Sequence, residues 1–230
     1  NCSPEVLPGA KNTNPDCYAP ENYDGLFLGP INLRNALAQS RNIPALKVLY
    51  LAGINNSLDT AKKLGINTLK DKAQYGLTLV LGGGEVSLLE LSGAYGVFAN
   101  DGVKNSPVGI LRVEDAQGNV LEEYQPDSTQ VLPQNTARQI SDILSDNQAK
   151  IPAYGANSPL FFPGQQVASK TGTTNDYRDT WVIGYTPSLV VGAWVGNNDN
   201  TSMEKKVAGM IVAPMWSAFM KEVLPSLPNE

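Results

Sequence analysis

Three β-rich runs follow one another between residues 167 and 195, separated only by short polar breaks, and that tempo admits few folds. The first is Val167-Ala168-Ser169-Lys170-Thr171-Gly172-Thr173-Thr174. A polar turn, Asn175-Asp176-Tyr177-Arg178-Asp179, leads to Thr180–Tyr185, and Thr186-Pro187-Ser188 leads to Leu189–Val195. Breaks this short cannot hold a crossover helix, so the spacing predicts adjacent antiparallel strands with a hairpin turn at 186–188. Lys170 then sits on a strand whose Gly172 allows another backbone to approach closely.

The remainder of the chain reads mostly as helix. Asn32 is placed to cap a helix from Leu33, and Asn42-Ile43-Pro44 interrupts it, because proline disfavours helix in the residue before it. A second helix ends at Gly53, and Ser57 or Asp59 opens a third that closes at Gly65. Leu77–Leu81 is a short apolar run before Gly82-Gly83-Gly84. No Gly-Lys-Ser/Thr follows, so these glycines read as a turn and not a phosphate loop. Ser87 caps an apolar, core-type helix over Leu88–Ala99. Val108–Val113 and Val120–Tyr124 form a hairpin, and Pro133 or Asn135 starts a helix through Leu144. Residues 152–164 read as a loop, and the set Ala213, Pro214, Trp216, Phe219, Met220 and Val223 as a closing helix. The prediction is a mixed α+β (α/β) fold in one domain, with an antiparallel sheet flanked by helices.

Composition narrows the chemistry. The 230 residues contain no histidine, which removes every Ser-His-Asp and Cys-His arrangement and every zinc site built on imidazole. A nucleophilic mechanism here needs a lysine or a carboxylate as base, and lysine serves when burial or a neighbouring cation lowers its pKa. The net charge of −5, without a basic cluster, argues against nucleic acid as a partner. No apolar run is long enough to cross a bilayer and no signal peptide is visible. The chain opens on Asn1, as expected of a processed or excised piece.

Residues 1–32 carry Pro4, Pro8, Pro15, Pro20 and Pro30 and read as an irregular approach. Cys2 and Cys17 are either two free thiols or a local disulfide closing a loop of roughly 15 residues, worth about 3 kcal/mol in the chain-entropy model. The disulfide would imply an oxidising compartment. Asn197-Asn198-Asp199-Asn200 reads as a polar turn, with a calcium site as the alternative.

Ser40-Arg41-Asn42 puts a hydroxyl and a carboxamide two residues apart at a helix break. Ser-x-Asn alone carries little information. Ser-x-Asn followed by Lys-Thr-Gly on a strand resembles the serine penicillin-recognising enzymes, which combine Ser-x-x-Lys, Ser-x-Asn and Lys-Thr-Gly. Longer stretches resemble the transpeptidase domain of class A penicillin-binding proteins. They are residues 20–25 (PENYDG), 33–45 (LRNALAQSRNIPA), 90–102 (ELSGAYGVFANDG) and 179–187 (DTWVIGYTP). The resemblance runs from about Tyr18 to the last helix.

One element of that pattern departs. No Ser-x-x-Lys precedes Ser40, and the only formal match, Ser202-Met203-Glu204-Lys205, follows the lysine strand in a polar context. The chain is therefore expected to be the C-terminal portion of one transpeptidase domain, 1–230, with the nucleophilic serine elsewhere and the missing part of the same domain as a partner. The resemblance implies a β-lactamase-like fold, no cofactor, and an extracytoplasmic parent with a membrane anchor and a glycosyltransferase domain. It implies peptidoglycan stem peptides ending in D-Ala-D-Ala, and β-lactam antibiotics, as ligands.

The same resemblance assigns roles. Ser40 relays a proton between the base and the leaving amine, helped by Lys170, whose charge also attracts the substrate carboxylate and keeps a neighbouring lysine neutral. Asn42 holds the substrate amide. Thr171 and Thr173 bind the carboxylate, the Thr173 N–H forms half of an oxyanion hole, and Gly172 lets the substrate lie along the strand edge. Because strand side chains alternate, Lys170 and Thr171 face opposite sides, and both serve one cleft only if this strand is an edge. A β-lactam hydrolase is disfavoured because no Glu-x-x-Leu-Asn lies between Asn42 and Lys170. A non-catalytic module that binds cell-wall peptide or a partner is the remaining alternative.

Overall fold

A computed structural model describes residues 19–203 and 209–227. Cys2 and Cys17 lie outside them, as do Glu204 and Lys205 of the formal Ser-x-x-Lys match. Three helices come first: α1 (Leu33–Ala38), α2 (Asn42–Ala52) and α3 (Ile54–Lys63). The Asn32 side chain accepts from the Asn35 N–H, as its capping position requires. The helix break lies earlier than the proline suggests. Pro44 is the third residue of α2, in the first turn, where a missing N–H costs nothing, and the chain turns at Gln39–Arg41 instead. Helix α3 likewise starts ahead of Ser57, directly behind Gly53.

The stretch Leu77–Leu81 is a 3₁₀ turn closed by left-handed Gly82. Helix α4 (Leu88–Ala99) follows, with the Ser87 hydroxyl accepting from the Glu90 N–H. Its Ala94 and Val97 are buried, whereas Leu89 is 65% exposed, so it is a core helix on one side only. Strand β1 (Val103–Lys104) leads to the hairpin of β2 (Arg112–Glu114) and β3 (Val120–Glu123). The hairpin is shorter than the apolar run predicts, because Ile110 and Leu111 lie exposed ahead of β2. Strand β4 (Thr129–Gln130) pairs back with β1.

Helices α5 (Gln134–Ser145) and α6 (Asn147–Tyr154) precede the principal sheet. That sheet is β5 (Ala168–Thr173), β6 (Asp179–Thr186) and β7 (Leu189–Gly196), antiparallel in sequential order, and α7 (Val212–Val223) closes the fold. Lys170 pairs with Ile183 and Gly172 with Trp181. On one face Val182 packs with Val212, Trp216 and Met220 of α7. On the other, Ala168 and Tyr185 pack with Leu144 of α5, Leu37 of α1, and Tyr95 and Phe98 of α4. The sheet is thus a middle layer between α7 and the α1–α4–α5 group.

Two glycines set how closely those layers approach. A Cβ on Gly184 would lie 2.2 Å from Trp216 Cζ2, and one on Gly192 would lie 2.2 Å from Ser92 Oγ. The strands therefore carry glycine where α7 and α4 press on opposite faces. Trp216, 1% exposed, also donates its indole N–H to the Val191 carbonyl at 3.0 Å. Truncating such a side chain to alanine costs about 3–5 kcal/mol. Strand β5 has a strand neighbour on one side only, so it is an edge of this sheet among the described residues.

Candidate active site

Ser40 occupies the position just past α1. Its N–H donates to the Leu37 carbonyl at 3.1 Å, and the Arg41 N–H donates to Ala36 at 2.9 Å. This is the two-bond closure of a Schellman motif, whose turning residue is left-handed and usually glycine. Ser40 accordingly has φ 56°, and a side chain there costs about 1–2 kcal/mol. A serine retained against that cost points to use of its hydroxyl.

The hydroxyl meets the lysine strand. Lys170 Nζ donates to Ser40 Oγ at 2.6 Å and to the Thr171 carbonyl at 2.7 Å. Burial lowers the Lys170 pKa from 10.5 to about 8. The alternation of the strand is resolved at its free edge. Thr174 N–H donates to the Asp179 carbonyl, so even-numbered residues of β5 turn their backbone groups toward β6. The backbone groups of Thr171 and Thr173 then point away from β6, and the Lys170 ammonium reaches round to that side.

The opposite face of β5 is held by α6. Lys150 Nζ donates to Ser169 Oγ at 2.8 Å, and Tyr154 Oη shares a hydrogen bond of 2.7 Å with Thr171 Oγ1. Lys150 is 2% exposed and Ser169 1%. Burial, and then the charge of Lys170, lower the Lys150 pKa to about 8, while Asp146 acts in the other direction. Burial raises the Tyr154 pKa, and the hydrogen bond with Thr171, with the Ser40 hydroxyl nearby, lowers it in part. Among the described residues neither lysine has a carboxylate at ion-pair distance. Helix α6 is itself fixed at its start. Asp146 accepts from the Ala149 N–H at 2.9 Å and from Arg34 Nη1 at 3.0 Å, tying α6 to α1, the helix just ahead of Ser40.

Asn42 is arranged differently from the other motif residues. Its side-chain amide donates to the Glu21 carbonyl at 2.8 Å. The neighbouring Ile43 N–H donates to Asn22 Oδ1 at 3.2 Å, and Arg41 pairs with Asp24. The turn 21–24 therefore braces Ser40-Arg41-Asn42 from outside. The structure brings Ser40, Lys170 and Thr171 into one network, leaves Gly172 and Thr173 on the same strand, and points the Asn42 amide at the brace. A Cβ on Gly172 would meet only Trp181 Cβ at 3.5 Å, so the fold itself does not demand glycine there. The Asn197–Asn200 segment is a turn closed by the Asn200 N–H on the Asn197 carbonyl at 2.9 Å.

Sequence reasoning missed Lys150, Ser169 and Tyr154. The reading of 152–164 as a loop is corrected: α6 runs on to Tyr154 with Pro152 inside it. The signal available was the spacing of Lys150 and Tyr154, one helical turn apart.

Comparison with known proteins decides the family. The family model described as penicillin binding protein transpeptidase domain matches residues 8–217. The chain belongs to that family. Penicillin-binding protein 1A of Aquifex aeolicus is 38% identical over 214 residues, covering 93% of this chain and 28% of that protein. The chain thus spans under a third of the curated relatives' length. The penicillin-binding protein PonA1 of Mycobacterium tuberculosis superposes with a TM-score of 0.81 at 24% identity, covering 96% of this chain and 63% of that one. PonA1 in complex with penicillin V gives 0.76 at 24% identity, covering 91% and 61%. These likenesses establish the penicillin-binding, β-lactamase-like fold, with its antiparallel sheet flanked by helices.

Proposed function

We propose that this chain is the C-terminal portion, 1–230, of the domain of a peptidoglycan D,D-transpeptidase, acting on stem peptides that end in D-Ala-D-Ala. The observation that carries the reading is the 2.6 Å contact between Lys170 Nζ and Ser40 Oγ. It joins the two family motifs, far apart in sequence, on the free edge of a sheet. Family membership and the fold shared with a protein solved with penicillin V support β-lactams as ligands.

The acylated serine belongs to a Ser-x-x-Lys element that these residues do not contain ahead of Ser40. Its Oγ gives its proton to the lysine of that element as base and attacks the penultimate D-Ala carbonyl carbon, and the oxyanion is held by that serine's own N–H and the Thr173 N–H. The C–N bond then breaks. Ser40 passes its proton to the departing D-Ala amine and takes one from the protonated base, while the Lys170 ammonium holds its Oγ. An acceptor amine then attacks the acyl-enzyme, the ester C–O bond breaks, and the amine's proton passes to the leaving serine oxygen as the cross-link forms. Thr171 and Thr173 hydroxyls bind the terminal carboxylate under the Lys170 potential, and Gly172 leaves room for the peptide backbone. Asn42 holds the substrate amide once its own amide leaves the Glu21 carbonyl.

This reading implies a parent that acts outside the cytoplasm and is anchored at the membrane. No described helix is long and apolar enough to cross a membrane. The test is incubation of this chain, and of a form extended upstream, with a fluorescent penicillin, read by intact mass. An adduct on the longer form alone supports the proposal. An adduct on the 230-residue chain would place the nucleophile at Ser40 or Ser202 and overturn the relay role of Ser40. Two folded forms that both stay unlabelled would favour a cell-wall-binding module without catalysis.

A further inference from the structure

Tyr154 lies on α6, outside every motif of the family pattern, yet its phenol reaches the middle of the site. Its Oη is 2.7 Å from Thr171 Oγ1, near the Ser40 hydroxyl, which accepts from Lys170 at 2.6 Å. Phenol and threonine hydroxyl form a line that a bound carboxylate would extend. The Tyr154 ring packs against the core cluster around Trp216 and Phe162, so the phenol is fixed from behind.

Donor capacity gives that line a direction. A lysine ammonium has donors and no acceptor, and each hydroxyl has one proton to donate. Lys170 therefore donates into Ser40 Oγ. A carboxylate, which only accepts, at the far end takes the Thr171 proton, and Tyr154 then donates to Thr171 Oγ1. Hydrogen bonds in such a chain polarise one another, and the interior strengthens each of them. Without the phenol, the Thr171 proton has no reason to favour the outward direction over other local acceptors.

We propose that Tyr154 is a positioning residue for carboxylate recognition, its phenol donating to Thr171 so that the Thr171 hydroxyl presents its proton to the substrate carboxylate. This rests on the functional reading above and adds to it a determinant of ligand charge. No covalent step is assigned to Tyr154, and the ring remains a core residue in its own right.

The test uses full-length protein that penicillin acylates, and two probes: benzylpenicillin, which carries the carboxylate, and its methyl ester, which does not. The second-order acylation rate is measured for each in wild type and Tyr154→Phe. Phenylalanine keeps the ring and removes only the hydroxyl. The expected result is a loss of about tenfold with the acid and less than about twofold with the ester. Thr171→Val should show the same selectivity, and the double variant should lose little beyond either single one, because both break one chain. Equal losses with both probes would mean a general structural effect and would overturn the inference, as would an unchanged rate with the acid. Wild-type protein that neither probe acylates would overturn the functional reading itself, and the carboxylate assignment with it.

Discussion

Replacing Lys150 by methionine should stabilise this protein, although the lysine makes a good hydrogen bond. Lys150 is 2% exposed, and its pKa is lowered from 10.5 to about 8 by burial and by Lys170. It is therefore still charged at pH 7, and holding that charge inside costs about 3 kcal/mol, at about 1.4 kcal/mol per tenfold change in proton affinity. Methionine fills a similar volume without charge. It forfeits the bond to Ser169 Oγ, worth about 1 kcal/mol. The net expectation is a gain of about 1–2 kcal/mol at pH 7, read by urea unfolding. Trp181, Trp194 and Trp216 report on the sheet and on α7 by fluorescence.

The pH dependence gives a second, independent reading. Both lysines have folded pKa values near 8, against 10.5 when unfolded. Below pH 8 both states are protonated and the penalty is fully present. Between 8 and 10.5 the unfolded state binds more protons, so stability rises with pH. From pH 7.5 to 9.5 each lysine contributes a rise of about 2 kcal/mol. Lys150→Met should remove about half of the total. The scan stops at 9.5 because burial also pushes up the Tyr95 and Tyr185 phenols, whose ionisation reverses the slope at higher pH. A variant destabilised by more than about 2 kcal/mol, or one with an unchanged pH slope, would refute the reasoning, since the ammonium would then be either favourably held or already neutral.

Two further outcomes follow from the geometry. Ser40→Gly relieves a φ of 56° and should stabilise the fold by about 1 kcal/mol in urea, while lowering penicillin acylation by at least about a hundredfold through loss of the relay hydroxyl. Gly184→Ala places a Cβ 2.2 Å from Trp216 Cζ2 and 3.0 Å from the Ala168 carbonyl, and should cost about 1–3 kcal/mol with a shift in tryptophan emission.

The parts of the fold that were legible in the sequence are those whose cause is local. Strands β6 and β7 announce themselves through residue type and a short turn, and Asn32 and Ser87 announce helix starts because a capping side chain bonds its own neighbours. Ser40, Asn42 and Lys170 were legible for a different reason, since their motifs match a known pattern, and that pattern said nothing about Ser40 being left-handed. What stayed hidden depends on contacts between distant segments. Pro152 reads as a helix stop, yet at the sixth position of an eight-residue helix it forfeits a single bond, and the pairing of Lys150 with Ser169 and of Tyr154 with Thr171 holds the turn in place. A lysine in sequence reads as a solvated charge, and only the packing of α6 behind β5 makes Lys150 a buried one. The same packing makes Tyr154 part of the site. A residue can be recognised from its neighbours in the chain when its partners are there. Tyr154 has its hydrogen-bond partner on β5, so its role exists only once α6 and β5 have met.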